Sequence, residues 1–420
     1  MGRFSPCPFH FHNSNKHQEY SNQSHSQPIF HHNSSDSSNS SLSSQPSLPS
    51  VPSLTPPHPT TTANHHLVAT LKGHSSYIFS LTLAGNHLYS GASDGEIRVW
   101  DRNPSSFNFN STHNNTIAQG YSAVKSIVAL NDKLITAHQD HKIRVWKLKN
   151  DTNSIPLHQS YHLYTTLPTV NDRCMTVFFA KNYVKVRRHK KSTWVHHVDT
   201  VSALALSKDG SFLYSVSWDR SFKVWRTSDF KCVESVQDAH DDAINAVVLS
   251  SDGVYVYTGS ADKKIKVWKR DFGLKKHLLV STLEKHKSAV NALALSSDGC
   301  VLYSGACDRS IIVWEKDDGG GGGGHMVVAG ALRGHGKAIL CLAVVSDLLC
   351  SGSADKSVRV WKKGSGNSHF CLAVFEGHKS PVKCLVAASV DSSSDLGSSY
   401  LVYSGSLDFD IKVWKIDVSV

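Results

Sequence analysis

The chain has 420 residues, 40% of them hydrophobic and 9% aromatic, and a formal charge of +10; this is the composition of a soluble globular protein with ample material for a core. No apolar run approaches the ~20 residues that a membrane-spanning helix needs, and Met1 to Pro6 carries neither the apolar stretch of a signal peptide nor the Ser or Thr that myristoylation wants where Pro6 stands. The cysteines are odd in number and sit mostly in apolar stretches (Cys341, Cys350, Cys384), so they read as core residues of a reducing compartment, which predicts the cytoplasm or else the nucleus.

In chain order, residues 1–63 are rich in Ser, Pro, His and Asn, with almost no aliphatic residues to offset the entropy of ordering, and are expected to form a disordered tail. Its charges, Arg3, Lys16, Glu19 and Asp36, cancel, so the net positive charge lies wholly beyond it and favours acidic partners. The stretch from Leu48 to Pro56 reads either as a docking peptide, with Thr55-Pro56 as a kinase site, or as a Ser/Pro-rich linker, and the linker is preferred. His10, His12, His31 and His32 imply no fixed metal geometry.

From residue 64 the chain is built on one unit: Ser or Thr, an Asp four residues on, and a Trp six further. It reads Ser90/Asp94/Trp100, Thr136/Asp140/Trp146, Ser215/Asp219/Trp225, Thr258/Asp262/Trp268, Ser304/Asp308/Trp314, Ser351/Asp355/Trp361 and Ser404/Asp408/Trp414. Upstream of six copies a His precedes an apolar residue by four: His74/Ile78, His197/Val201, His240/Ile244, His286/Val290, His335/Ile339 and His378/Val382. The second copy has Gly120 before Val124 instead. Such a period marks a repeat array.

Within the fourth repeat, Ile244–Leu249 alternates as one strand, Ser251-Asp252-Gly253 turns, and Val254–Gly259 and Ile265–Trp268 follow as further antiparallel strands. Four-stranded blades around an axis protect their edges by radial repetition. After Trp414 too little chain remains for a fourth strand, whereas His66–Lys72 has strand-like content, so this segment is expected to complete the last blade and lock the ring. Successive Trp lie 46, 79, 43, 46, 47 and 53 residues apart. The long gap holds an insertion at about 168–196 with Arg187, Arg188, Lys190 and Lys191, which reads as a basic flap, a weak nuclear import signal or a plain solvated loop. Whether the second blade takes its outer strand from 163–167 or from 191–195 stays open. Residues 317–325, with Gly319–Gly324, read as a flexible loop.

These residues are those of WD repeats, and the chain over about 65–420 resembles the seven-bladed WD-repeat (WD40) β-propellers. Within that family it is similar to the plant Jingubang-like proteins, on the stretches Leu71-Lys-Gly-His-Ser-Ser-Tyr-Ile78 and Asn182-Tyr-Val-Lys-Val-Arg-Arg-His-Lys-Lys191. The expected fold is therefore all-β, a seven-bladed propeller over 64–420, monomeric, behind the tail. Of the seven repeat Trp only Trp100 is followed by Asp, and with its His missing the second blade is expected to be the least tightly stapled.

His286, Ser304 and Asp308 taken alone have the composition of a hydrolytic triad. The same trio recurs in six repeats, and an active site in every blade is implausible; its role is structural, with Asp accepting from His, His meeting the hydroxyl, and the hydroxyl meeting the indole. No phosphate-cradling glycine loop or zinc-spaced Cys/His pair occurs, so no enzyme activity, cofactor or metal is expected.

Function is sought where the repeats differ. The resemblance implies that the His-bearing loops and the Asp turns open on one face, the top. Just before the first strand's apolar residue stand Tyr77, Ala123, Thr200, Ala243, Ala289, Ala338 and Pro381; just before the turn Asp stand Ser93, Gln139, Trp218, Ala261, Cys307, Ala354 and Leu407. After that Asp come Gly95, His141, Arg220, Lys263, Arg309, Lys356 and Phe409. Tyr77, Leu407 and Phe409 are expected to cluster where blade seven meets blade one, with Arg220, Lys263, Arg309 and Lys356 as a basic arc opposite and Trp218 a further outlier. The reading is a non-catalytic scaffold or adaptor for a protein or peptide partner, acidic or phosphorylated, with the resemblance adding regulation or signalling in a plant cell. The alternatives are a substrate receptor of a cullin ubiquitin ligase, whose Trp-Asp-x-Arg signature Trp100-Asp101-Arg102-Asn103 misses, and a nucleic-acid-associated basic propeller, which is not favoured.

Overall fold

Each repeat folds as four antiparallel strands because its alternating apolar runs are interrupted where the chain must turn. The computed structural model describes residues 51–55, 63–102, 115–148, 161–177, 183–187, 190–274, 276–317, 325–364, 368–390 and 397–419. In blade four the strands are Ile244–Leu249, Tyr255–Ser260, Lys264–Asp271 and Lys276–Glu284, paired in sequence order. Seven such four-stranded sheets form a β-propeller. The first strand of each blade packs against the first strands of its neighbours around the axis, and blade seven meets blade one to close the ring.

The core lies between blades. Among the described residues it divides into seven apolar clusters, each joining two adjacent sheets; one holds Ile265 and Val267 of blade four with Leu302, Ile312 and Trp314 of blade five. No blade can bury its two faces alone, so the array is stable only as a ring. The ring closes as expected: Asn64–Leu71 pairs antiparallel with the last strand, Ile411–Ser419, with Leu67 opposite Trp414.

One question left open by the sequence is settled, and two parts of the chain depart from expectation. The outer strand of blade two is Tyr161–Leu167, while Lys190–Thr193 pairs with Tyr183–Arg187 as a separate hairpin. A helix, Val170–Val177, precedes that hairpin, and its buried Asp172 accepts the amide of Cys232 at 3.2 Å, tying the insertion to blade three. The insertion is thus a docked element rather than a plain loop. Arg187, Lys190 and Lys191 are in the hairpin, whereas Arg188 and the glycines of 318–324 lie outside the described residues.

The other departure is in the supposed tail. Residues 51–55 dock on the rim: Ser53 bridges Ala331 in parallel, and Leu54 N donates to Ala331 O at 3.0 Å. Ala331 N donates to Pro52 O at 2.9 Å, and His369 N to Leu54 O at 3.0 Å. The Arg333 guanidinium reaches Val51 O at 2.8 Å, and Val51 is buried. Two apolar residues and a run of free carbonyls and amides were enough, because the outer strand of blade five offers an unpaired edge that satisfies them. Gly330 makes room, since a Cβ there would stand 2.4 Å from Leu54.

Candidate partner-binding face

The repeated polar residues form one chain of hydrogen bonds per blade. In blade four the Trp268 indole donates to Thr258 Oγ1 at 2.9 Å, that hydroxyl meets His240 Nε2 at 2.8 Å, and His240 Nδ1 meets Asp262 Oδ2 at 2.8 Å. Only one polarity satisfies all members: the hydroxyl accepts from the indole and donates to Nε2, so Nδ1 carries the proton given to the carboxylate. Blades three, five, six and seven repeat this through His197, His286, His335 and His378. The carboxylate acceptors respond to competing terms. Burial pushes Asp408 up, but the bond and charge of His378, with the Lys379 and Asp410 amides, outweigh it and bring it to about 2. Asp219 is held lower still by His197 and Ser221 against the same opposition from burial. These histidines are buried and bonded at both ring nitrogens, and the hydroxyls they meet are fully buried.

Two blades solve the same problem with other residues. In blade one His74 Nδ1 meets Glu96 Oε2 at 3.0 Å, not Asp94. Asp94 keeps the turn, accepting the Glu96 amide at 3.0 Å and the Ser75 hydroxyl at 3.4 Å, while Glu96 also holds Arg98 at 2.8 Å. Blade two was expected to be weakly stapled and is not. There His138, two residues after Thr136 and so on the same strand face, meets Thr136 Oγ1 through Nε2 at 2.7 Å. Trp146 donates to the same hydroxyl at 2.8 Å, and His138 Nδ1 donates to Ser122 O at 3.0 Å. That carbonyl bond is the one Ser217 makes to Asp199 O and Ser260 to Asp242 O in the next two blades. The signal was available in the sequence as an exchange of sizes. Where other blades pair a His with a Ser or Ala two residues after the hydroxyl, blade two pairs Gly120 with His138. Burial and the neighbouring Arg144 charge push the His138 imidazole down to about 4. Asp140, released from the ring, pairs with Arg144 at 2.5 Å.

Above this scaffold the variable positions come together in register. The residue before each turn Asp donates its amide to the carbonyl of the residue before the first strand: Ser93 to Tyr77 at 2.8 Å, Trp218 to Thr200 at 3.0 Å, Leu407 to Pro381 at 3.0 Å, and likewise in the other four blades. The residue after the Asp is left-handed in every blade, from φ 68 at His141 and Arg309 to 87 at Gly95. Gly95 is required there, because a Cβ would stand 2.4 Å from Gly120 O. Elsewhere Arg220, Lys263, Arg309, Lys356 and Phe409 hold that conformation at a cost of about 1 kcal/mol each. With His141, the conformation aims six exposed side chains outward from one face.

The seam between blades seven and one carries the expected aromatic contact: the Tyr77 and Phe409 ring centroids are 5.5 Å apart, and Phe79 lies 6.4 Å from Tyr77. The arc is less basic than its sequence suggests. Arg220 pairs with Asp238 at 2.7 Å, and Lys264, next to Lys263, lies within 3.4 Å of both Asp241 and Glu284. Trp218 faces the axis, 5.8 Å from Lys125 Nζ. That lysine, which the sequence reading missed, lies at the mouth of the central channel.

A family model described as "WD domain, G-beta repeat" matches residues 65–101, 188–226, 230–269, 278–315, 327–362 and 369–415. It does not match 102–187, which holds blade two with its exchanged histidine. Among curated proteins, "WD repeat-containing protein pop2" of Schizosaccharomyces pombe is 26% identical over 185 residues, covering 40% of this chain and 22% of that protein. "Striatin-3" of Rattus norvegicus is 23% identical over 198 residues, covering 42% and 24%. The chain thus spans less than a quarter of the length of either relative.

Proposed function

The chain belongs to the WD-repeat family, and from that premise we propose that it is a non-catalytic adaptor holding an acidic or phosphorylated peptide of a protein partner on its top face. The observation that carries the reading is the packed Tyr77–Phe409 pair, with Phe409 40% exposed at a backbone conformation a bulky residue avoids. A rigid, exposed aromatic beside cationic side chains is the composition of a binding anchor. The stretches 71–78 and 182–191 support a regulatory role in a plant cell, as in Jingubang-like propellers, and we place the protein in the cytoplasm with access to the nucleus. The carboxylates interleaved with the arc, Asp238, Asp241 and Glu284, argue against a nucleic-acid backbone as ligand. Arg102 reaches Ser389 O at 3.2 Å, so the residue nearest the ligase-receptor signature is engaged with blade seven.

Affinity purification from plant extract with the wild type and with Tyr77→Ala/Phe409→Ala tests the reading. Partners retained by the wild type should be lost from the double variant at equal protein stability. Identical recovery would move the site to the rim, the lower face or the N-terminal segment.

A further inference from the structure

Every first strand opens with the same irregularity. The pairing register slips between residues one and three, at Ile78/Ser80, Val124/Ser126, Val201/Ala203, Ile244/Ala246, Val290/Ala292, Ile339/Cys341 and Val382/Cys384. The residue between is the extra one of a β-bulge, and a bulge re-aims its side chain. Those seven residues, Phe79, Lys125, Ser202, Asn245, Asn291, Leu340 and Lys383, all line one cavity of ≈ 220 Å³ on the axis. The strands begin at the His loops, and Lys125 lies within 5.8 Å of Trp218 beside an Asp turn, so the ring is at the top mouth of the channel.

The ring divides in two. Ser202, Asn245 and Asn291 are spent on joining blades: each donates to the first carbonyl of the next, Ile244 O at 2.5 Å, Val290 O at 2.9 Å and Ile339 O at 2.8 Å. Lys383, Phe79 and Lys125 occupy the consecutive blades seven, one and two. Lys125 Nζ stands 4.0 Å from the Phe79 ring centroid, and among the described residues neither lysine has a carboxylate within 4 Å. No Asp or Glu lines the cavity. Burial and the like charge of Lys383 push the Lys125 ammonium down to about 8. Two like-charged ammonium groups facing one cavity without a carboxylate beside them repel each other, Lys125 from a largely buried position, and an anion between them would relieve both.

We propose that the channel mouth is an oxyanion site in which Lys125 and Lys383 together bind one carboxylate or phosphate group. Phe79 forms the wall between them. The cavity is smaller than a drug-sized pocket and takes one such group rather than a nucleotide. Phe79 continues into the Tyr77–Phe409 seam, so an acidic residue next to an apolar one would fill both. In that respect the inference deepens the adaptor reading and rests on it, while the anion seat is testable without any partner.

Calorimetric titration of the full chain with inorganic phosphate at low salt should give saturable one-site binding. Lys125→Met and Lys383→Met should each weaken it by about tenfold or more, with thermal melting no lower than in the wild type. Lys362→Gln, paired with Asp347 at 3.6 Å and away from the cavity, should bind as the wild type does. Competition by acetyl-Phe-Glu-amide and by acetyl-Phe-phosphoserine-amide then distinguishes the carboxylate from the phosphate monoester as the natural group. Absence of saturable phosphate binding, or binding unchanged in both Met variants, overturns the proposal. Phosphate binding that persists while partner capture ignores Tyr77 and Phe409 would instead sink the adaptor reading and leave the anion seat standing.

Discussion

Replacing the turn Asp in blades two and four separates two ways of stapling a blade. In blade four, Asp262→Ala removes the acceptor of His240 at 2.8 Å, of the Asp241 amide at 3.1 Å and of the Lys264 amide at 2.9 Å. The imidazole N–H, whose side chain is fully buried, is left without a partner. An orphaned buried donor costs about 1–3 kcal/mol, and with two charge-assisted bonds lost as well the total should be about 3 kcal/mol. In blade two, Asp140 does not touch the histidine. Asp140→Ala instead strands the Arg144 guanidinium, 8% exposed, which gave the carboxylate bonds at 3.1 and 2.5 Å. Breaking a buried ion pair costs about 3–5 kcal/mol; because Asp140 is 30% exposed, the loss should be nearer to about 2–3 kcal/mol. The two losses are therefore similar in size and differ in rescue. Adding Arg144→Met to Asp140→Ala removes the uncompensated charge and should restore about 2 kcal/mol. Urea denaturation at constant m-value reads both effects as midpoint shifts. A loss below about 1 kcal/mol for Asp140→Ala, or losses that simply add in the double variant, would show that blade two has no such pair.

Further outcomes follow from the same geometry. Deleting residues 1–50 should leave the melting temperature unchanged, deleting 1–60 should lower it by a few degrees because residues 51–55 leave the rim, and deleting 1–72 should give insoluble protein by opening the edge of blade seven; equal melting in all three would refute the strand closure. Lys125→Met should stabilise the protein by about 2 kcal/mol at pH 7. Burial and Lys383 bring the folded ammonium to about 8 against an ordinary 10.5, so the unfolded chain binds the proton more tightly, stability rises with pH across that window, and the gain should vanish by about pH 10. In acid the sign is opposite: Asp408, at about 2 when folded against 3.8, adds stability above pH 4 that is lost on descent to pH 2, and Asp408→Asn should flatten that part of the denaturation profile. Against an identified partner, Phe409→Ala should chiefly speed dissociation, by about 2 kcal/mol. Charge reversal at Lys263 and Lys356 should instead slow association at low salt, and stopped-flow rates unchanged by it would reduce the arc to solvated surface.

The fold was legible because the interactions that define a blade are local and repeated. Ser or Thr, Asp and Trp lie within ten residues, their spacing does not vary over seven copies, and the Trp indole bonds the hydroxyl in every blade. The strand that closes the ring was readable from a count of what remained after Trp414. The residues before the first strand and those before the turn Asp meet in space, since a backbone bond joins them in every blade. What the tertiary structure alone decided are the cases in which one residue takes over another's place. Glu96, two residues beyond the turn Asp, reaches His74 in its place, and no spacing rule distinguishes it from Asp94. Residues 51–55 order only because a strand edge nearly 280 residues away supplies the bonds that composition cannot show. Arg220 reads as a free cation until Asp238, on the following loop, is found 2.7 Å away. Lys125 and Lys383, more than 250 positions apart, became one site only when the ring closed and put both on adjacent sides of Phe79. A sequence displays periodicity along the chain, whereas a channel lies across it: its chemistry is set by one residue from each blade, and only closure places those seven together.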